Sequence, residues 1–295
     1  VQELLNTLTL GSIYLLFALG MALAWSTIGI LNFAHGAIFV FSAFSAHIIS
    51  EHVALSMPVL ILISVLVGAA MSALTQWLAF EQILKRSTNH RSAEMRVLIG
   101  GIGVAAIPIA IVDKATASAP FGFANSTYKT EVYESMGLRM TNTSLIVIIT
   151  GVGIAVALTL WLRASRRGLG LRAIGVDSET ASLMGVNRTA MALGTMAIAG
   201  GLAGLAGALQ VFQLQAMGVA TGDQLLIKAF AMIVLGGLGS MAGVIFGAFA
   251  LAGAETLIFA AKLGTWVDAV SFGLIFLVLL VRPQGIFGRQ EVRRT

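Results

Sequence analysis

The sequence contains no cysteine, which excludes disulfides, thiolate metal sites and a cysteine nucleophile. It is also poor in charge. Asp, Glu, Lys and Arg make up 11% of the 295 residues, against roughly 25% in soluble domains. No polar stretch is long enough to bury a core of its own, so no soluble domain can be cut out. There is no G-x-x-x-x-G-K-[ST] phosphate loop, which excludes nucleotide hydrolysis by that route. Val1-Gln2-Glu3 offers neither a basic n-region nor a cleavage site and does not read as a removable signal peptide.

Apolar side chain is abundant instead, at 58% of residues, with a mean hydropathy of +0.94. A small globular core cannot hide so much, because it still needs a polar shell. The apolar residues fall in blocks of about 16–25, the length that crosses a roughly 30 Å hydrocarbon layer. Nine such blocks lie near residues 4–25, 28–50, 54–80, 97–113, 143–162, 189–212, 224–239, 241–260 and 265–281. The expected fold is an all-α polytopic transmembrane bundle of eight or nine membrane segments, a single domain over residues 1–295. The first two blocks are parted only by Ser26-Thr27, so one of them can be broken or re-entrant.

A pI near 10 would suit nucleic acid, but the basic residues sit in short loops between apolar spans, which is a topology signal. Segment 81–96 carries Lys85, Arg86, Arg91 and Arg96. Segment 163–188 carries Arg163, Arg166, Arg167, Arg172 and Arg188. The tail adds Arg282, Arg289, Arg293 and Arg294. These are 13 of the 18 basic residues, while the opposite loops hold only Lys114, Lys129, Arg139 and Lys262. The bias puts the C-terminus in the cytoplasm and, with nine crossings, the N-terminus outside.

Glycine, 33 residues in all, lies largely inside the spans: Gly200, Gly201, Gly204 and Gly207, then Gly239, Gly243 and Gly247. In lipid, small residues four apart let helix backbones approach closely, so packing is the expected role, with a flexible gate as the alternative.

Three features suggest function. Asn32-Phe33-Ala34-His35-Gly36 places polar groups at the start of an apolar block, where they are costly unless paired or wetted. This break either lines a solute path or holds a turn. His47 and His52 read as structural. In the cytoplasmic loop 164–188, Asp177 or Ser178 can cap a short helix and Glu179 suits its first turn. Thr180, Leu183 and Met184 then form an apolar stripe, and Gly185 ends the helix in a left-handed conformation. Such a stripe fits a groove on a partner or lies on the bilayer surface. Lys228 and Glu255 are ionisable residues within spans, a costly placement. They can pair with each other, or Lys228 can snorkel to the outer interface; snorkelling is the preferred expectation. The outer loop 114–142, with Phe121, Phe123, Tyr128, Tyr133, Glu131 and Glu134, reads as a landing place for an external protein or as a cap over the outer mouth.

Three stretches together resemble one family. Thr9-Leu10-Gly11-Ser12-Ile13-Tyr14 with Asn32-Phe33-Ala34-His35-Gly36 is similar to the opening of the permease subunits of branched-chain amino acid ABC importers. Arg172-Ala173-Ile174-Gly175, Glu179-Thr180-Ala181 and Met184-Gly185-Val186 resemble their coupling loop. Lys228-Ala229-Phe230, Val234-Leu235-Gly236-Gly237-Leu238-Gly239-Ser240 and Gly243 resemble their late glycine-rich segment. Ala37 stands where many members carry an acidic residue.

The resemblance implies a multi-pass subunit of the bacterial cytoplasmic membrane. Its partners would be a second related permease, two cytoplasmic ATPases and an extracytoplasmic solute-binding protein, besides lipid. ATP and magnesium would be held by the ATPases and no cofactor by this chain. Coupling would run through Arg172, Gly175, Glu179, Thr180, Ala181, Leu183, Met184 and Gly185, and the solute path would involve Asn32, Phe33, His35 and Gly36. Related permeases for urea, short amides or aromatic acids are the alternative within the family. A secondary transporter or channel is the alternative outside it, but Glu255 is the one carboxylate well inside a span, and coupling ions need several. No catalytic or metal-ligating set has workable spacing.

Overall fold

The computed structural model describes residues 1–29, 31–87, 90–135, 138–237, 239–282 and 285–287. Leu238 and the tail arginines Arg289, Arg293 and Arg294 lie outside the described residues. Each of the nine apolar blocks contains a helix: α1 (Gln2–Ile28), α2 (His35–His52), α3 (Met57–Thr75), α5 (His90–Thr116), α6 (Asn142–Ala164), α9 (Arg188–Leu214), α10 (Thr221–Gly236), α11 (Met241–Ala260) and α12 (Val267–Val281). α3 runs on through a π-helical turn, Gln76–Phe80, into α4 (Glu81–Lys85). Two helices, α7 (Arg166–Val176) and α8 (Ser178–Leu183), fill the basic loop. The all-α expectation needs one addition, a hairpin of β1 (Val132–Ser135) and β2 (Leu138–Thr141) that pairs Val132 with Thr141.

Among the described residues, six helices are long and apolar enough to cross a membrane: α1, α3 with its extension, α5, α6, α9 and α11. α2, α10 and α12 have 18, 16 and 15 residues. The second helix starts later than the block suggests. Gly29 adopts φ 72° and closes α1, its N–H bonding Trp25 O, and five more residues pass before α2 begins. A left-handed glycine is a usual helix stop, so the break is a turn between two intact helices.

Burial sorts the helices. The most apolar windows of α1 and α9 are 83% and 78% buried, against 22% for those of α5 and α6. α1 and α9 therefore form the centre, and the others wrap them. Outside, Leu62 and Leu66 on α3, Ile99 and Ile107 on α5, and Ile149 and Leu160 on α6 are exposed. In water so large an apolar surface would aggregate; in lipid it is the ordinary solvent-facing side.

Glycines set the closest approaches. A Cβ added at Gly200 would meet the Gly68 carbonyl oxygen, and one at Gly204 would meet that of Ser64, so α3 and α9 touch backbone to backbone. Gly207 sits on the Phe39 carbonyl of α2, and Gly243 and Gly247 sit on Gly236 and Met232 of α10. Packing is thus the role of these five positions. Gly239 differs: it turns the chain at φ 83° and faces open space.

Long-range bonds define two ends of the bundle. Thr189 Oγ1 donates to Glu81 Oε1 at 3.4 Å, and the Ile286 N–H bonds Leu235 O at 2.9 Å. Together these bring the extension of α3 to the start of α9, and residues 285–287 to the end of α10. At the other end Gln2 Nε2 donates to Arg139 O at 3.0 Å, the Thr127 N–H bonds Leu55 O at 3.0 Å, and Phe121 pairs with Met217. Lys85, Arg86, Arg188 and Arg282 lie at the first end, whereas Lys114, Lys129, Arg139 and Lys262 lie at the second.

Candidate functional site

The basic end carries the most distinctive surface. Ser165 opens α7, its side chain accepting the Gly168 N–H at 2.9 Å. α7 was not expected from the sequence; the reading placed a helix only near 178–185. Leu171 buries against Leu23 of α1 and Leu162 of α6, and Ile174 is buried one turn later. Gly175 lies over the Ser26 carbonyl, where a Cβ would come within 3.3 Å. α7 is therefore fastened to the end of the central helix.

Asp177 then starts α8. Its Oδ1 accepts the N–H groups of Glu179 at 2.9 Å and Thr180 at 3.1 Å, and the Thr180 hydroxyl donates to Oδ2 at 2.6 Å. The Thr180 hydroxyl first, and then the two N–H groups, hold the Asp177 carboxyl below its usual range. Gly185 follows with φ 89°. Two of the proposed stripe residues project from the protein, Leu183 at 84% and Met184 at 82% exposure, joined by Val176 at 89%. Thr180 is exposed but spends its hydroxyl on the cap, and Ala181 is buried, facing inward. The stripe is thus Val176, Leu183 and Met184. Glu179 and Arg172 are exposed beside it, and the Arg172 guanidinium reaches Arg163 O at 3.4 Å.

The motif at 32–36 is interior. Asn32 Oδ1 accepts the Ala34 N–H at 3.0 Å, shaping the turn. The His35 ring is fully buried 4.6 Å from that of Phe17, and its Nε2–H donates to Phe17 O at 3.2 Å. Gly36 packs on Gly222 of α10, and the Phe33 backbone lies near Gly101 of α5. Asn32 Nδ2 and His35 Nδ1 are buried without a hydrogen-bond partner among the described residues.

Lys228 does not snorkel. Its Nζ lies 2.8 Å from Glu255 Oε1 and 3.8 Å from Asp268 Oδ1. Glu255 also accepts Tyr14 Oη–H at 2.7 Å and Ser271 Oγ–H at 2.9 Å. The physical reason is Glu255 itself, 1% exposed. A buried carboxylate is tolerable only with a counter-charge and satisfied lone pairs, and Lys228 is the cation in reach. The sequence does not single out Tyr14 and Ser271 as partners of Glu255; a hydroxyl in an apolar span is the available signal.

At the opposite end Phe121 is buried, while Phe123 and Tyr128 pack on Phe212 at 4.8 and 5.6 Å. These three form a cap. Val132, Tyr133, Glu131 and Glu134 stay exposed on or beside the hairpin.

Comparison with known proteins agrees with this geometry. The family model described as branched-chain amino acid transport system, permease component, matches residues 3–279. The high-affinity branched-chain amino acid transport system permease protein LivH of Escherichia coli K12 is 31% identical over 300 residues, covering 100% of this chain and 97% of that protein. BraD, the corresponding Pseudomonas aeruginosa permease, is 32% identical over 314 residues with the same coverage. A probable LivH of Methanocaldococcus jannaschii is 27% identical over 294 residues, covering 94% and 89%. No solved structure matches the chain.

Proposed function

Because the chain belongs to the branched-chain amino acid transport permease family, we propose that it is one membrane subunit of an ATP-driven importer of branched-chain or similar hydrophobic amino acids. It crosses the cytoplasmic membrane nine times, with the arginine-rich end in the cytoplasm and the hairpin end outside. The charge bias supports this sidedness, and the alternating helix directions support nine crossings. The short helices α2 and α10 span where neighbouring protein, and not lipid, covers much of them, while α12 lies at the periphery with Phe276, Leu277 and Leu280 exposed.

A second related permease, two cytoplasmic ATPases and an extracytoplasmic binding protein complete the assembly, with ATP and magnesium on the ATPases. One observation carries the coupling step: α8 and the residues that flank it at the basic end present Val176, Leu183 and Met184 to solvent. Three large apolar side chains this exposed are unfavourable in water, at roughly 25 cal/mol per Å²; a groove on an ATPase removes that cost. Through Leu171 and Leu23, any displacement of α8 reaches the central helix. Asn32, Phe33, His35 and Gly36 serve the path indirectly, holding α2 against α1 and α10.

The test is reconstitution in vesicles with the partner subunits. Wild-type protein is expected to take up leucine only with ATP and the ATPases present. Glu179→Lys and Gly185→Val are expected to fold yet lose uptake at least tenfold while ATP hydrolysis continues. Uptake without any ATPase, or full coupling in both variants, would sink the reading.

A further inference from the structure

At the basic end α6 passes into α7 around a tight corner. Ser165 is extended, its N–H bonding Trp161 O at 2.9 Å, and Gly168 lies so close to the Leu162 carbonyl that no side chain fits there. The Arg172 guanidinium reaches back to Arg163 O at 3.4 Å, from α7 to the end of α6. Leu23, Leu162 and Leu171 bury one another beneath the corner, and Trp161 packs on them. The corner is therefore a fixed surface and not a loose loop.

Arg163, Arg166 and Arg167 stand exposed on it. None of the three forms an ion pair with a carboxylate among the described residues. The first turn of α7 holds no acidic residue, so Arg166 and Arg167 oppose both the helix dipole and each other. Helix stability is thus not what they serve. Arg163 also ends an apolar stripe. Ile149, Val156 and Leu160 precede it at successive spacings of seven, four and three residues, which is one face of α6, and all three are exposed. Leu169 is likewise exposed, one turn beyond Arg166. The surface therefore runs from an apolar face straight into a row of uncompensated guanidinium groups.

We infer that this corner binds an anionic phospholipid, its phosphate against Arg163, Arg166 and Arg167 and an acyl chain along Ile149, Val156 and Leu160. The guanidinium fork matches phosphate oxygens, and basic residues beside a membrane helix attract anionic headgroups. Trp161 marks the depth, because tryptophan collects where hydrocarbon meets headgroups. A free anion would use the arginines and leave the stripe idle, as would an acidic face of a partner protein. The inference needs α6 to cross a membrane and does not depend on what is carried. The importer reading adds only that the headgroup belongs to the cytoplasmic leaflet.

The test is lipid binding to the purified full chain in neutral detergent, read by native mass spectrometry. The probes are phosphatidylglycerol and phosphatidylcholine of equal chain length, with inorganic phosphate as competitor. Phosphatidylglycerol is expected to bind roughly tenfold tighter than phosphatidylcholine, and equimolar inorganic phosphate is expected not to displace it. Arg166→Gln with Arg167→Gln is expected to abolish most of that preference with an unchanged thermal midpoint. Arg86→Gln with Arg188→Gln removes equal charge from the same end and is expected to leave the preference intact. Equal binding of the two lipids, displacement by inorganic phosphate, or equal loss in the two double variants overturns the inference. The first two outcomes are read on the wild type, so the inference stays testable if a variant fails to insert. An unchanged lipid preference with lost ATPase attachment in Arg166→Gln/Arg167→Gln also overturns it, assigning the corner to a partner protein. Lipid binding is read on the chain alone and uptake on the assembly, so either reading can fall while the other stands.

Discussion

A single carboxylate organises the outer half of the bundle. Glu255 collects a cation and two hydroxyls from three other helices, Lys228 on α10, Tyr14 on α1 and Ser271 on α12. Removing one partner of a buried pair leaves the other uncompensated, which costs about 3–5 kcal/mol. Glu255→Gln and Lys228→Met are each expected to lower stability by that order, read as thermal unfolding in detergent. The double variant should lose at least ~1 kcal/mol less than the sum of the two, as contacting residues do. Strictly additive losses would reject the pair. Lys228 and Glu255 were legible in the sequence because charge within an apolar span is rare. Tyr14 and Ser271 were not, because a hydroxyl is tolerated there and Tyr14 meets its acceptor 241 residues away. His35 shows the reverse case. A polar residue in an apolar block drew attention, yet its ring is packed against Phe17 and hydrogen-bonded to that residue's carbonyl.

Among the elements, the pairing of α3 with α9 depends on absent side chains. Gly204→Leu would drive a side chain into the Ser64 carbonyl, and overpacking of this kind costs about 3 kcal/mol at the upper end. Gly194 lies on the same helix with nothing near its Cβ position, so Gly194→Ala should leave the midpoint unchanged. Equal effects of the two substitutions would show that backbone contact is not what holds α3 to α9. The nine apolar blocks were readable because each is long and uniform. α7 was not, since Gly168, Gly170 and Gly175 lower its helix propensity and its arginines mask the buried Leu171 and Ile174. α8 was readable in its cap and its glycine stop. Leu183 and Met184, expected on its apolar face, are exposed, as is Val176 at the end of α7.

For the whole molecule, sidedness is the property on which the importer reading turns. The absence of native cysteine makes every introduced one unique. Thr130→Cys and Lys262→Cys should react with an impermeant maleimide in intact cells, and Arg172→Cys and Leu183→Cys only after permeabilisation. The opposite pattern would place α8 outside, away from any cytoplasmic ATPase. Charge bias made the orientation legible as an expectation, whereas the central position of α1 was invisible, since its composition is that of any lipid-facing span. That position bears on how the protein is made. α1 is synthesised well before its main neighbours, α9 and α11. At about 5–20 residues per second, α1 waits roughly 10–40 s in the bilayer before α9 emerges. During that wait Tyr14 has no carboxylate to meet and Gly11 has no helix against it. A nascent chain stalled before α9 would therefore present an unfinished, polar-bearing helix to the membrane quality-control machinery, which makes the last third of the chain the part that decides whether the first survives.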